Sequence, residues 1–173
     1  MAVLLQTPLV IRDDDDLIRA AARHPAYHFE READGAILVS PTSTSDGAKS
    51  AEALFQLASY AKEAGGKAFD SSSGFAIGPG RTVRSPDASW ISPSQMESLS
   101  ERPKTGFWPV SPAVVIEVRS STDNFAEVTA KTAFYVERGT QYAVAIDPQN
   151  RAVREFGEAP AGLALDFTAI MDA

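Results

Sequence analysis

The chain has 173 residues, of which 44% are hydrophobic and 23% charged, and its formal net charge is −7. This length fits one domain with a core of its own, and the apolar fraction is too high for a disordered chain. The absence of cysteine excludes disulfides, thiolate zinc sites and a cysteine nucleophile. With two histidines, a metal would have to be a hard cation such as Mg²⁺ or Mn²⁺, held by carboxylates and carbonyls.

No segment has the length or composition of a membrane or secretion signal. The longest apolar runs, such as residues 113–116, are far shorter than the ~20 residues of a membrane helix. The first 25 residues lack the basic region and the cleavage site of a signal peptide. We therefore expect a cytoplasmic protein without membrane contact. The acidic balance argues against nucleic acid, since phosphate binding relies on Lys and Arg, although the sixteen basic residues could still line one face.

The first half of the chain predicts a helix, a hairpin, a longer helix and two strands. The aspartates at 13–16 favour the start of a helix over 17–23, rather than a metal site. Asp34-Gly35 separates two short runs and predicts a β-hairpin. Apolar residues at helical spacing predict a helix over 45–63. Strands are expected at 67–77 and 82–91, on either side of Gly78-Pro79-Gly80.

The second half predicts a buried strand, a helix and two further strands. These elements are expected at 113–119, 124–138, 141–146 and 151–156, after a proline-rich stretch at 92–112 with one short helix near 94–99. The order indicates an α/β or α+β domain with one mixed sheet flanked by helices. Strands 113–119 and 141–146 should lie side by side at its centre, with both longer helices across its faces. We expect an N-terminal segment with a short helix at 1–27 and the main domain at 28–173.

Two carboxylates stand where packing would favour apolar side chains. Glu117 lies within a buried strand, on the same face as Arg119, so the two could form a structural ion pair. Asp87 follows Pro86 near the start of another predicted strand. If these strands are neighbours, Asp87 and Glu117 can converge, and two such groups need a shared proton or a divalent cation.

Two further polar residues lie at the edges of the predicted helices. Lys131 is about 90° from the centre of the apolar face of its helix, and Glu52 has a similar place on the earlier helix. Such residues are usually solvated. They matter for chemistry only if those helix edges lie beside the carboxylate pair.

An ordered set of segments resembles one protein family. The segments are FEREADGAILVSP, AEALFQLASYAKEAG, FDSSSGFAIGPGRTVRSPDASWI, AVVIEVRSSTD and AKTAFYVERGTQYAVAIDP, which span residues 28–157. In this order they resemble the Uma-two family of restriction-endonuclease-like proteins, in the PD-(D/E)XK nuclease superfamily. No single segment is specific, but the ordered set is. The resemblance implies a restriction-endonuclease-like core with an N-terminal β-hairpin.

The resemblance also implies a set of site residues. Asp87, Glu117 and the Val118 carbonyl would hold Mg²⁺ or Mn²⁺. Glu52 matches the place of the superfamily's helical glutamate, and Glu30 matches a family position to which we assign no role.

The chain departs from the superfamily at one position of this set. Arg119 stands where the superfamily has a lysine, and an arginine stays protonated and cannot act as a base. Lys131, in a Lys-x-x-x-Tyr helix pattern that ends at Tyr135, is the better candidate for a relocated lysine. Which of Lys131 and Arg119 acts is left open.

Three functions follow from these patterns. A metal-dependent endonuclease would hydrolyse DNA, with Arg81, Arg84 and Arg119 as the basic residues nearest the site in sequence. Cutting both strands would favour a two-fold dimer, since one site hydrolyses one strand at a time. The alternative is a catalytically inactive nuclease-like domain that acts as a binding or assembly module. A carboxylate glycosidase would need an aromatic-rich sugar cleft, for which the sequence gives no sign.

Overall fold

The computed structural model describes residues 10–41, 44–99 and 106–173. Its helices are α1 Asp14–Arg23, α2 Thr44–Ala64, α3 Pro93–Ser98, α4 Phe125–Glu137 and α5 Phe167–Asp172. Its strands are β1 Tyr27–Arg31, β2 Ile37–Pro41, β3 Lys67–Asp70, β4 Phe75–Ala76, β5 Val83–Arg84, β6 Ala88–Ile91, β7 Val114–Val118, β8 Tyr142–Asp147 and β9 Ala152–Gly157. Residues 1–9 of the expected N-terminal segment and 100–105 of the proline-rich stretch lie outside the described residues. None of the described helices has the length and apolar character needed to cross a membrane.

The larger sheet has five strands in the order β3-β6-β7-β8-β9. β7 and β8 are parallel neighbours at its centre, as predicted, and the other pairs are antiparallel. α4 connects β7 to β8, which is the crossover that parallel strands require. α2 and α4 contribute to different clusters on the two faces of this sheet, so the expected packing of both longer helices is also confirmed.

The expectation of one mixed sheet is wrong, although the α+β class is confirmed. A second, antiparallel sheet has the order β2-β1-β5-β4. Both strands predicted between 67 and 91 break in the middle, and their halves enter different sheets. The first break is a turn in which Asp70 accepts a hydrogen bond from the Ser72 amide at 3.1 Å. The second break contains Pro86, which has no amide hydrogen to continue a ladder.

The two faces of β7 have different characters. All five of its residues are buried. Val114, Ile116 and Val118 pack in one cluster with Ala53 and Leu57 of α2. Residues 115 and 117 point to the other face, where Val115 packs in a cluster with Tyr135 of α4. Glu117 therefore lies under α4.

The ends of the helices agree with the predictions to within one residue, except for α1, which begins earlier than expected. Asp13 is its N-cap and accepts a hydrogen bond from the Asp16 amide at 2.8 Å, so the aspartate run does start a helix. Asn124 caps α4 in the same way, through the Ala126 amide at 2.9 Å. The sequence analysis did not predict α5, which is capped by Asp166.

Candidate active site at the junction of the two sheets

The register of β6 and β7 places Asp87 beside Glu117. The two strands are antiparallel and Ala88 pairs with Ile116. The residue before Ala88, which is Asp87, therefore lies opposite the residue after Ile116, which is Glu117. Asp87 Oδ2 accepts a hydrogen bond from the Val118 amide at 2.7 Å. This bond fixes the direction of the Asp87 carboxylate. The two predicted carboxylates are thus adjacent.

Glu117 is held by two residues of α4. The residue is 5% exposed, and its Oε1 lies 3.0 Å from Lys131 Nζ. The Tyr135 hydroxyl donates a hydrogen bond to the same oxygen at 3.0 Å. Lys131 and Tyr135 are four residues apart, so they lie on one face of the helix. The Lys-x-x-x-Tyr pattern therefore places both polar ends on Glu117.

A third carboxylate comes from the second sheet. Glu30 Oε1 lies 3.0 Å from Lys131 Nζ and accepts a hydrogen bond from the Ser85 amide at 2.7 Å. His28 is two residues earlier on β1 and shares the face of Glu30. His28 is among the groups that oppose the effect of burial on the pKa of Asp87, so its imidazole also lies near the cluster. The site therefore sits where the two sheets meet.

Burial controls the protonation of these groups. It raises the pKa of Glu117 to about 8, against the opposing effect of the Lys131 charge. Loss of solvation likewise raises the pKa of Asp87, against the hydrogen bond from the Val118 amide. Burial would lower the pKa of Lys131, but the charges of Glu117 and Glu30 outweigh it and raise that pKa above its ordinary value. Lys131 is therefore a permanent cation in this site.

The donor set fits a hard divalent cation. Asp87, Glu117 and Glu30 all lie near one ammonium, that of Lys131, so the three carboxylates, when ionised, exceed it by two negative charges. All of these donors are oxygens, which suits Mg²⁺ or Mn²⁺. Across the described ranges no three His, Asp or Glu side chains are grouped to hold an ion by themselves. An ion would thus complete its coordination with main-chain, water or substrate oxygens, as Mg²⁺ usually does.

The structure does not bring Arg119 to this cluster. Its NH1 lies 3.0 Å from Asp147 Oδ1, and its Nε donates to the Asp123 carbonyl at 2.9 Å. The ion pair between Glu117 and Arg119, considered from the sequence, is therefore not formed. The reason is that Asp147 ends the adjacent strand β8 and is itself buried, 1% exposed, which makes it the nearer partner for a guanidinium.

Glu52 also lies elsewhere. Its Oε1 accepts a hydrogen bond from Gln56 at 2.9 Å. Together with Asp166 it lines a groove of about 430 Å³ between α2 and the segment that includes α5. α2 covers the face of β7 opposite to that of Glu117. The helix therefore carries the expected glutamate, but Glu52 lies on the opposite side of the sheet from Glu117.

Of the basic residues expected near the site, Arg84 and Arg119 are engaged in ion pairs, and a further arginine is exposed. Arg84 is buried, and its NH2 lies 2.6 Å from Glu32. The side chain of Arg81 lies outside what the structure describes. Arg138 is exposed, and its guanidinium lies 5.1 Å from the centre of the Phe134 ring, which also contacts Arg84 at 5.4 Å.

Arg138 is the C-cap of α4 and follows Lys131 along this side of the helix. The two are seven residues apart, which is close to two turns. Gly78 makes room for this arrangement, because a Cβ there would lie 3.2 Å from Arg138 Nε and 3.4 Å from the Phe134 ring. The seven-residue spacing of Lys131 and Arg138 is visible in the sequence, but spacing alone does not show that both lie on the side of the site.

The raised pKa of Glu117 leads to a prediction for stability without divalent ions. The ordinary pKa is 4.5 and the folded value about 8, so the folded state holds an extra proton between these values. The free energy of unfolding should therefore fall as pH rises from 5 to 8, by at most about 1.4 kcal/mol per unit from this group. Urea unfolding in the presence of a chelator measures this fall. Glu117→Gln should flatten it, and a wild-type stability that rises over this range would contradict the prediction.

Comparisons with known proteins bear on the fold and on the family of the chain. No curated protein matches the chain. Among solved structures, a "putative nuclease belonging to DUF820" from Anabaena variabilis ATCC 29413 matches with a TM-score of 0.63 and 20% identity, over 83% of this chain and 89% of that one. At this identity the likeness shows the fold. The model of the Uma2 family, described as "Putative restriction endonuclease", matches residues 14–165. The family resemblance of the sequence is thereby confirmed: this chain belongs to the Uma2 family.

Proposed function

We propose that the chain is a metal-dependent endonuclease that hydrolyses phosphodiester bonds of DNA. The observation that carries this proposal is that Asp87 lies opposite Glu117, whose carboxylate is 3.0 Å from the ammonium of Lys131. An arrangement of two carboxylates and one lysine, with no protein nucleophile among them, suits hydrolysis by water. The description of the Uma2 family supports the same reaction class.

Asp87 and Glu117, with the Val118 carbonyl, are the residues that would hold Mg²⁺ or Mn²⁺. A bound ion would polarise the scissile phosphate and lower the pKa of a coordinated water. The Val118 amide directs Asp87, and Tyr135 directs Glu117, so both carboxylates are fixed before substrate arrives. Such preorganisation is what makes electrostatic catalysis effective.

Lys131 would stabilise the negative charge that develops on the phosphate. Its ammonium is held by two carboxylates, so it stays protonated and does not act as a base. Arg119 and Glu52 take no part in this proposal. Arg119 is engaged with Asp147, and Glu52 lies across the sheet from Glu117.

Cleavage of plasmid DNA tests the proposal directly. The purified chain should nick supercoiled plasmid with Mg²⁺ or Mn²⁺, and a chelator should stop the reaction. Calorimetry should detect Mn²⁺ binding to the protein alone. If neither cleavage nor Mn²⁺ binding is observed, the inactive binding or assembly module becomes the better account of the chain.

Arg138 is expected to contact the DNA backbone, because it is exposed and, as the C-cap of α4, lies about two helical turns beyond Lys131. Arg138→Ala should weaken DNA binding and reduce the slope of log affinity against log salt by about 0.9, the value for one lost phosphate contact. Fluorescence anisotropy of a labelled duplex, in an inactive Asp87→Asn background, measures the slope. Arg23→Ala is the matched control. Arg23 is also exposed, but it lies on α1, which packs against the face of β1 opposite to that of Glu30. Equal slopes for the two variants would contradict this contact.

A further inference from the structure

We propose that Glu30 is a positioning residue that holds the Lys131 ammonium partly away from Glu117, and so keeps Glu117 available to a divalent cation. This inference rests on the proposed metal-dependent function. It assigns a role to a residue from the second sheet, whose carboxylate is in contact with Lys131.

Glu30 is held firmly in place. Its residue is 9% exposed, and its backbone pairs with Leu38 in the hairpin of β1 and β2. The Ser85 amide donates to Glu30 Oε1 at 2.7 Å, two residues before Asp87. The carboxylate is therefore anchored to the same short connection that carries Asp87 into the site.

Lys131 Nζ lies 3.0 Å from Glu30 Oε1 and 3.0 Å from Glu117 Oε1, so it is shared equally. A lysine paired with Glu117 alone would compete fully with a divalent cation for that carboxylate. If the cation won, a largely desolvated ammonium would lose its partner, which is costly. Glu30 removes this conflict, because Lys131 keeps one carboxylate when Glu117 gives an oxygen to the ion.

Glu30 can act on the cation without being a ligand itself. Its Oε1 already accepts from an amide and from an ammonium. Its effect on the cation would pass through Lys131. A change at Glu30 should therefore matter only while Lys131 is present, and this dependence separates positioning from direct ligation.

A cycle of variants measured by Mn²⁺ calorimetry tests the inference. Glu30→Gln keeps the shape and an acceptor oxygen for the Ser85 amide but removes the charge. We expect it to raise the Kd for Mn²⁺ about tenfold in the wild-type background. In a Lys131→Met background the same change should alter the Kd less than twofold. Glu30→Asp, which keeps the charge on a shorter side chain, should restore part of the affinity and also serves if Glu30→Gln does not fold.

The outcomes separate the inference from the proposed function. A wild type that binds Mn²⁺ and a Glu30→Gln variant that binds it equally would overturn the role of Glu30 and leave the proposed function standing. Equal weakening in both backgrounds would also overturn it, because Glu30 would then act as a ligand or a general charge. A wild type that binds no Mn²⁺ would overturn both.

Discussion

Asp87→Asn and Glu117→Gln are each expected to abolish Mn²⁺ binding and to reduce DNA cleavage by about 10³-fold. Each change removes one negative charge from a pair of carboxylates that the ladder of β6 and β7 sets side by side. A side-chain amide has one acceptor oxygen and no charge, so it holds a divalent cation less strongly than the carboxylate it replaces. Calorimetry with Mn²⁺ and plasmid nicking measure the two effects independently.

The matched control for these variants is Glu52→Gln. It makes the same chemical change at a half-buried glutamate on the opposite side of the sheet. Cleavage and Mn²⁺ binding should remain within a few fold of wild type. If Glu52→Gln were as damaging as Glu117→Gln, the placement of the site under α4 would be wrong.

Neither carboxylate variant should unfold the protein. Glu117→Gln removes a group whose ionisation is opposed by burial, so its stability at pH 8 should match or exceed that of wild type without divalent ions. Loss of activity with retained or increased stability is typical of a site residue. Loss of both would indicate a structural defect instead.

The sequence could predict the parts of the fold that depend on local pattern. The apolar runs of β7 and β8 indicated buried central strands, and the apolar faces of α2 and α4 indicated packing helices. The adjacency of Asp87 and Glu117 followed from the assumption that their strands are neighbours. Once β6 pairs with β7, the alternation of side chains fixes which residues share a face.

The partners of each charge could not be predicted in this way. The Arg119 guanidinium was available to Glu117 by spacing alone, but Asp147 on the next strand takes it. Glu30 meets Lys131 only because a second sheet forms, and that sheet depends on breaks at residues 71–74 and 85–87. Contacts between residues so distant in sequence depend on how the layers dock, which local periodicity does not encode.

Lys131→Met is expected to lower the rate of cleavage, and Arg119→Met is expected to lower the stability of the protein. Lys131→Met removes the one cation that contacts the proposed ligand Glu117 among the described residues, and should lower kcat by about 10²–10³-fold. Arg119→Met leaves the buried Asp147 without its guanidinium, and should lower the free energy of unfolding by about 1–3 kcal/mol. Its kcat should stay within a few fold of wild type. Single-turnover cleavage and urea unfolding measure the two quantities.

This comparison decides which basic residue replaces the superfamily's lysine. Lys131→Arg keeps the charge and should recover part of the lost rate, whereas a purely structural role for Lys131 would show recovery of stability without recovery of rate. If Arg119→Met abolished cleavage in a folded protein while Lys131→Met remained active, the catalytic cation would be Arg119. Its bonds to Asp147 and Asp123 would then have to break when substrate binds. The resting geometry favours Lys131, because its ammonium already lies 3.0 Å from Glu117 and needs no rearrangement.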